Sequence, residues 1–389
     1  MDSLRRALGR LPLPAQERLL RPVGFIGAGV VALLVPQLFQ VPGFADSLNG
    51  VGINLGLLAD ATVFTLLALG LNIVVGLSGL LDLGYAAFFA IGAYTYGELA
   101  SQFFNIHLAF VPLLLLAAVV AASFGVLLGA PTLRLRGDYL AIVTLGFGEI
   151  VPRVIRNAQK LTGGVNGISA IDRPKIEAGP LHIIFGFDPI PYYYTILVVV
   201  LVSVVLIRNL QHSRLGRAWQ AIREDELAAQ AMGINTVTTK LLAFAMGASF
   251  SGFAGCFYGS KVGLISPETF DFQVSVTVLA MVVLGGMGNI TGVIVGSYLI
   301  YMIENWFLPH LPQLVQLVSQ STGTSVLTEI HYSDYTYVLL GILLIAFMLL
   351  RPQGLIPSRL RRAELREGGI EGALGGEVET VAPGEESSL

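Results

Sequence analysis

Asn54, Asp60, Asp82, Glu98, Glu149 and Glu304 stand inside runs of otherwise apolar residues. A polar or ionisable group at membrane depth must pair, face water or handle a moving ion or solute, so each is a candidate for a transport pathway or for a buried hydrogen-bond network. Asp60 lies nearest the middle of its run. Bond-making chemistry finds no support. A Gly-x-x-x-x-Gly-Lys-Ser/Thr phosphate loop is absent, because none of Lys160, Lys175, Lys240 and Lys261 follows a glycine or precedes a hydroxyl residue. Gly-x-Ser-x-Gly, His-Glu-x-x-His and paired-cysteine signatures are also missing. His107, His182, His212, His310 and His331 are scattered without metal-ligand spacing, and Cys256 stands alone. The chain is read as non-enzymatic, with no cofactor or metal of its own. If it moves a solute uphill, it couples to an ion or borrows ATP from a partner.

The elements that must position these residues are membrane helices. With 54% hydrophobic and 13% charged residues and a mean hydropathy of +0.73 over 389 residues, the apolar surface exceeds what one soluble core can hide. The reading is an all-α polytopic membrane protein. Apolar runs at 23–41, 51–76, 79–101, 109–130, 139–154, 192–207, 241–260, 274–284, 292–307 and 335–350 predict about ten spans, the fifth and eighth of them short. The runs define a cytoplasmic N-terminal segment over 1–22, a transmembrane region over 23–351 with a polar loop at 208–240, and a Gly- and Glu-rich tail over 352–389 with little to bury. Basic residues set the orientation. Arg5, Arg6, Arg10, Arg18 and Arg21, then Arg134 and Arg136, the polar loop and the tail fall on one side, the cytoplasm, with both termini. The segment 153–191 departs from this rule, with five basic residues on the predicted outside. Tyr192, Tyr193, Tyr194, Trp306, Tyr332, Tyr335 and Tyr337 fall at predicted outer ends, where amphipathic rings favour the interface.

Two of the apolar runs are broken. Glycines crowd 70–84, including Gly76 and Gly79, and Gly285, Gly286 and Gly288 interrupt 284–292. Backbone that leaves the helix at membrane depth must be buried in protein or line a wet cavity, and paired interruptions in two halves of a chain point to a translocation pathway. Asn72 and Asn289 are the polar side chains at these breaks. Close helix packing and tight turns are the competing explanation for the glycines.

The polar island 207–240 is the largest interruption. On one continuous helix, Ala218, Ala221, Ile222, Asp225, Ala229 and Met232 form a stripe with helical spacing, while Arg217, Arg223 and Glu224 face elsewhere. A stripe of small apolar residues with a central carboxylate suits docking into another protein's groove. A helix resting on lipid headgroups has the same pattern. A further Gly-rich loop, with Thr162, Gly163, Gly164, Asn166 and Gly167, falls on the predicted outside.

Several blocks in order resemble one family: GLNIVVGLSGLLDLGYAAFFAIGAYT over 70–95, RLRGDYLAIVTLGFGEIVPRVIRN over 134–157, LTGGVNGI over 161–168, GRAWQAIREDELAAQAMGI over 216–234 and LGGMGNITGVIVG over 284–296. Together they are similar to the LivM branch of branched-chain amino acid ABC permeases. The resemblance implies a subunit that supplies half of a path for leucine, isoleucine or valine. Its partners would be a related permease, two cytoplasmic ATPase subunits that bind the ATP, and an extracytoplasmic solute-binding protein that the loop 162–167 could meet. The island would then be the coupling helix, meeting the ATPase through Arg217, the stripe residues and Glu226, with Ala228, Ala229 and Gly233 matching the family's Glu-Ala-Ala-x-x-x-Gly pattern. Leu227 holds the glutamate position and Glu226 precedes it, so Glu224, Asp225 and Glu226 all remain candidates for the ATPase contact. A urea or amide importer of the same class is an alternative. So is an ion-coupled transporter using Asp60 or Glu149.

Overall fold

The computed structural model describes residues 29, 32–41, 43–104, 106–132, 138–178, 181–186, 188–311, 336–351 and 354–356. The expected N-terminal segment 1–22, Arg134, Arg136, Tyr332, Tyr335 and most of the tail lie outside them.

Helices form where the apolar runs lie, because in lipid a helix lets a single segment satisfy its own backbone hydrogen bonds. A helical stretch through 32–38 is followed by α1 (Phe44–Gly50), α2 (Leu55–Leu71), α3 (Ala86–Leu99), α4 (Phe110–Thr132), α5 (Asp138–Asn157) and α6 (Gln159–Thr162). Then come α7 (Pro189–Gln211), α8 (Arg214–Glu224), α9 (Glu226–Ala231), α10 (Thr236–Val262), α11 (Phe272–Gly285), α12 (Ile290–Met302) and α13 (Thr336–Leu350). Among the described residues five stretches are long and apolar enough to cross a membrane: Leu55–Leu77, Phe110–Thr132, Pro189–Gln211, Thr236–Val262 and Ile290–Leu311. The protein is membrane-integral and mostly helical. The 14 residues each of α3 and α11 reach only about 21 Å, short of the ~30 Å hydrocarbon layer. Both adjoin a break.

The long helix α10 sits at the centre, against α2, α3 and α4. Small residues permit this closeness: a Cβ at Gly252 would stand 2.6 Å from the Ala117 carbonyl oxygen. Some polar side chains are matched across the bundle, as where the Tyr85 hydroxyl donates to the Gly247 carbonyl at 2.8 Å and Lys261 Nζ pairs with Asp60 Oδ1 at 2.6 Å.

The all-α expectation needs one correction. Among the described residues, three two-stranded antiparallel sheets occur, β1 (Ala100–Ser101) with β2 (Ile106–His107), β3 (Ile168–Ser169) with β6 (Leu264–Ile265), and β4 (Lys175–Ala178) with β5 (Leu181–Ile184). They arise where chain between helices needs partners for its peptide groups. The tyrosine expectation also shifts. Tyr192 and Tyr193 are buried, their hydroxyls donating to the carbonyls of Ser260 at 3.1 Å and Ala32 at 3.0 Å, so they lock helices together instead of facing lipid.

Candidate functional site

The first break begins where α2 runs on into a π-helical turn, Asn72–Leu77, a local widening that is frequent at functional sites. Gly79 takes a left-handed φ of 70° and the chain stays non-helical up to α3. A helix end leaves carbonyls without intrahelical partners. Here the Ser78 and Leu80 amides reach Ile73 and Val74, and the Gly76 carbonyl receives Nη1 of Arg223 at 2.6 Å. Buried Asp82 accepts the Gly84 amide at 2.9 Å, and Leu83 N–H donates to Thr144 Oγ1 at 3.0 Å, which fixes the exit of the break against α5.

The second break separates α11 from α12. Gly286 adopts φ 114° and ψ 105°, and Gly288 φ 80°, conformations open in practice to glycine. Asn289 caps α12, accepting the Thr291 amide at 3.1 Å, and its amide donates to the Ile356 carbonyl at 2.9 Å. A short strap past α13 completes the turn, as Leu355 and Ile356 donate to the carbonyls of Leu284 and Gly285 at 2.8 and 3.2 Å. The close passage of Gly285, Gly292 and Gly296 backbones holds α11 against α12.

The two breaks meet. Gly288 N–H donates to Asn72 Oδ1 at 2.8 Å, Gln211 Nε2 reaches the Gly288 carbonyl at 3.3 Å, and a Cβ at Gly76 would stand 2.6 Å from Gly288 N. Asn72 is fully buried, and its Nδ2 has no hydrogen-bond partner among the described residues. Sequence alone places Asn72, Gly76, Gly79, Gly285, Gly286, Gly288 and Asn289 at two separate breaks. The structure gathers them into one junction.

The polar island departs from the single-helix expectation. Ser213 caps α8, and at Asp225 the backbone turns extended (φ −152°, ψ 110°) while its carboxylate caps α9 by accepting the Leu227 and Ala228 amides. The stripe is thereby cut into an elbow, since a residue that caps the next helix cannot continue the previous one. Trp219 is fully buried and its indole donates to the Thr239 carbonyl at 2.7 Å, pinning α8 to α10. Ala229, read as outward from the stripe, is 4% exposed and turned inward. Ile222 is buried as well, and Ala218 and Ala221 are half-buried. What faces outward is Leu227, Ala228, Ala231, Met232 and Gly233, with Met232 84% exposed, along with Arg217, Glu224 and Asp225. Arg223, which lies off the stripe, points into the junction of the breaks.

Of the three acidic candidates, Asp225 serves as a cap and Glu226 pairs with the buried Lys240 at 2.6 Å. Removing Glu226 strands a buried ammonium, so Glu226→Ala is expected to destabilise the elbow by about 2 kcal/mol, with Lys240→Met milder because it removes the charge itself. Thermal unfolding of the two purified variants measures this; equal melting temperatures would show that the pair is unimportant.

The loop 162–167 is tightly built. Thr162 Oγ1 donates to the Ile155 carbonyl at 2.5 Å, Gly163, Gly164 and Gly167 all have positive φ, and the chain passes directly into β3 beside β6. Leu161, Val165 and Asn166 form its exposed rim.

Comparison with known proteins decides the family. Residues 53–348 match the family described as branched-chain amino acid transport system / permease component. The chain belongs to that family. The permease is 42% identical over 328 residues to the high-affinity branched-chain amino acid transport system permease protein LivM of Salmonella typhimurium, covering 80% of this chain and 71% of the relative. To LivM of Escherichia coli it is 41% identical over the same shares. The permease protein LivH of Escherichia coli is more distant, 23% identical over 267 residues, 65% of this chain and 82% of LivH. No solved structure matches the permease. The resemblance read from the five sequence blocks is borne out.

Sequence reasoning missed Arg223, Gln211 and the strap at 354–356. No periodicity within α8 could reveal Arg223, because its acceptor lies 147 residues away.

Proposed function

We propose that this permease is one half of the translocation pathway of an ATP-driven importer of branched-chain amino acids in the inner membrane. It pairs with a related permease, docks two cytoplasmic ATPase subunits and receives its substrate from an extracytoplasmic solute-binding protein, with Leu161, Val165 and Asn166 on the rim that meets that protein. ATP hydrolysis belongs to the partners. The chain crosses the membrane about ten times, with both termini in the cytoplasm. The observation that carries the reading is the elbow: an exposed apolar tip, Leu227, Ala228, Ala231 and Met232, built on a helix that is pinned to α10 and reaches the junction of the breaks. Such a tip is the surface that an ATPase groove requires, and the pinned helix is a lever that can rotate the attached spans.

An ion-coupled transporter is disfavoured by the carboxylates themselves. Asp60, the most central of them, is ion-paired with Lys261 at 2.6 Å, a fixed cation where a transported one would have to sit, and Glu149 is an exposed side chain beside Arg153. Vesicles containing the whole complex should take up radiolabelled leucine when ATP is enclosed with the ATPase subunits and not when only a proton or sodium gradient is imposed. Uptake on the gradient alone would overturn the reading. Competition by urea or small amides, but not by isoleucine or valine, would move the substrate to the amide class.

A further inference from the structure

We propose that Arg223 is a positioning residue that carries movement of the elbow into the junction of the two interrupted spans; the proposal rests on the docking role of the elbow. A carbonyl at the end of a helix turn needs a donor, and Gly76 takes it from the Arg223 guanidinium at 2.6 Å, a short bond with a charged donor. The arginine is seated for this. A Cβ on Gly79 would stand 2.8 Å from Arg223 Cγ, so the left-handed glycine opens the space for the side-chain stem. A Cβ on Gly288 would lie 3.5 Å from Nη1, which places the guanidinium between the first break and the second. Asn72, on the same turn as Gly76, holds the Gly288 amide in turn. One helix, α8, therefore grips α10 through Trp219 and the first break through Arg223, whose guanidinium lies beside Gly288 of the second.

A rigid helix moves all its side chains together, and a hydrogen bond at 2.6 Å is lost once its donor and acceptor stand about 3.5 Å apart, a displacement of about 1 Å. When the ATPases shift α8, the Gly76 carbonyl either follows or is left without its donor beside the buried Asn72. Lysine replaces this poorly, because a hydrated ammonium on a flexible stem lacks the planar, pre-organised fork.

The test uses the complete complex in vesicles and reads three quantities: ATPase recovered on purification, ATP hydrolysed and radiolabelled leucine moved per ATP. For Arg223→Met, ATPase recovery and hydrolysis are expected to stay within about twofold while leucine per ATP falls at least about tenfold, with Arg223→Lys down by about threefold. Unchanged leucine per ATP in Arg223→Met overturns the proposal. Loss of ATPase in step with uptake also overturns it, since Arg223 would then belong to the docking surface. Should Arg223→Met fail to assemble, Arg223→Lys decides, and a wild-type ratio in that variant overturns the proposal. A wild-type chain that recovers no ATPase overturns the docking reading and the proposal with it, and that failure appears in the unmutated control before any variant is compared.

Discussion

Gly286→Leu is expected to abolish ATP-driven uptake, by at least about a hundredfold, while the chain still inserts and pairs with its sister permease. The glycine sits at φ 114° and ψ 105°, where a residue with a Cβ is strained by about 1–3 kcal/mol. The strap adds to this. A Cβ on Gly354 would stand 2.7 Å from Gly286 Cα, so the strap passes close against the Gly286 backbone, and a backbone shift that relieves the strain at 286 is expected to draw the Leu355 and Ile356 amides away from the carbonyls of Leu284 and Gly285. Each buried carbonyl left unpaired costs a further ~1–3 kcal/mol. The junction would reopen locally, since α11 and α12 keep their own hydrogen bonds. Recovery of sister permease and ATPase together with a vesicle uptake assay checks this; normal uptake would show that the glycines serve only as a turn.

Met232→Asp is expected to cut ATPase recovery by at least about tenfold, with ATP-driven uptake lost in parallel. Met232 is the most exposed apolar side chain of the elbow, and docking would bury it in a groove for roughly 1.5–3 kcal/mol. A carboxylate there forfeits that burial and must be desolvated besides. Ala229→Arg acts differently. Because Ala229 faces the protein's own interior, a long cation there overpacks the elbow and is expected to lower the thermal stability of the isolated permease before any ATPase is present. Wild-type ATPase recovery by Met232→Asp, assayed alongside Ala229→Arg, would assign the tip to lipid.

The spans were legible because lipid reduces the fold to a counting rule: an apolar run must satisfy its own backbone, and it does so as a helix. The breaks were legible for the converse reason, as Gly285, Gly286 and Gly288 within four positions suit no continuous helix. What the sequence hid were contacts between distant segments. Gly76 and Gly288 meet across more than two hundred residues, and Arg223 reaches Gly76 from a third segment. A helical wheel misled at the elbow because it assumes one axis. Asp225 ends one helix and caps the next, and that single change of direction turned Ala229 inward and exposed Met232. Aspartate is a strong cap signal, but inside an apparently continuous stripe it reads equally well as a surface charge.

The strap has a consequence for the order of synthesis. Leu284 and Gly285 leave the ribosome well before the amides of Leu355 and Ile356 that complete their hydrogen bonds. The interval is about 70 residues, or roughly 4–14 s at ordinary rates of translation. Through that time the second break is an unfinished turn, with two carbonyls awaiting donors that have not yet been made. Insertion of the early spans and closure of their centre are therefore separate events, and a nascent chain halted ahead of residue 354 would carry nearly every helix of the permease around a centre still open.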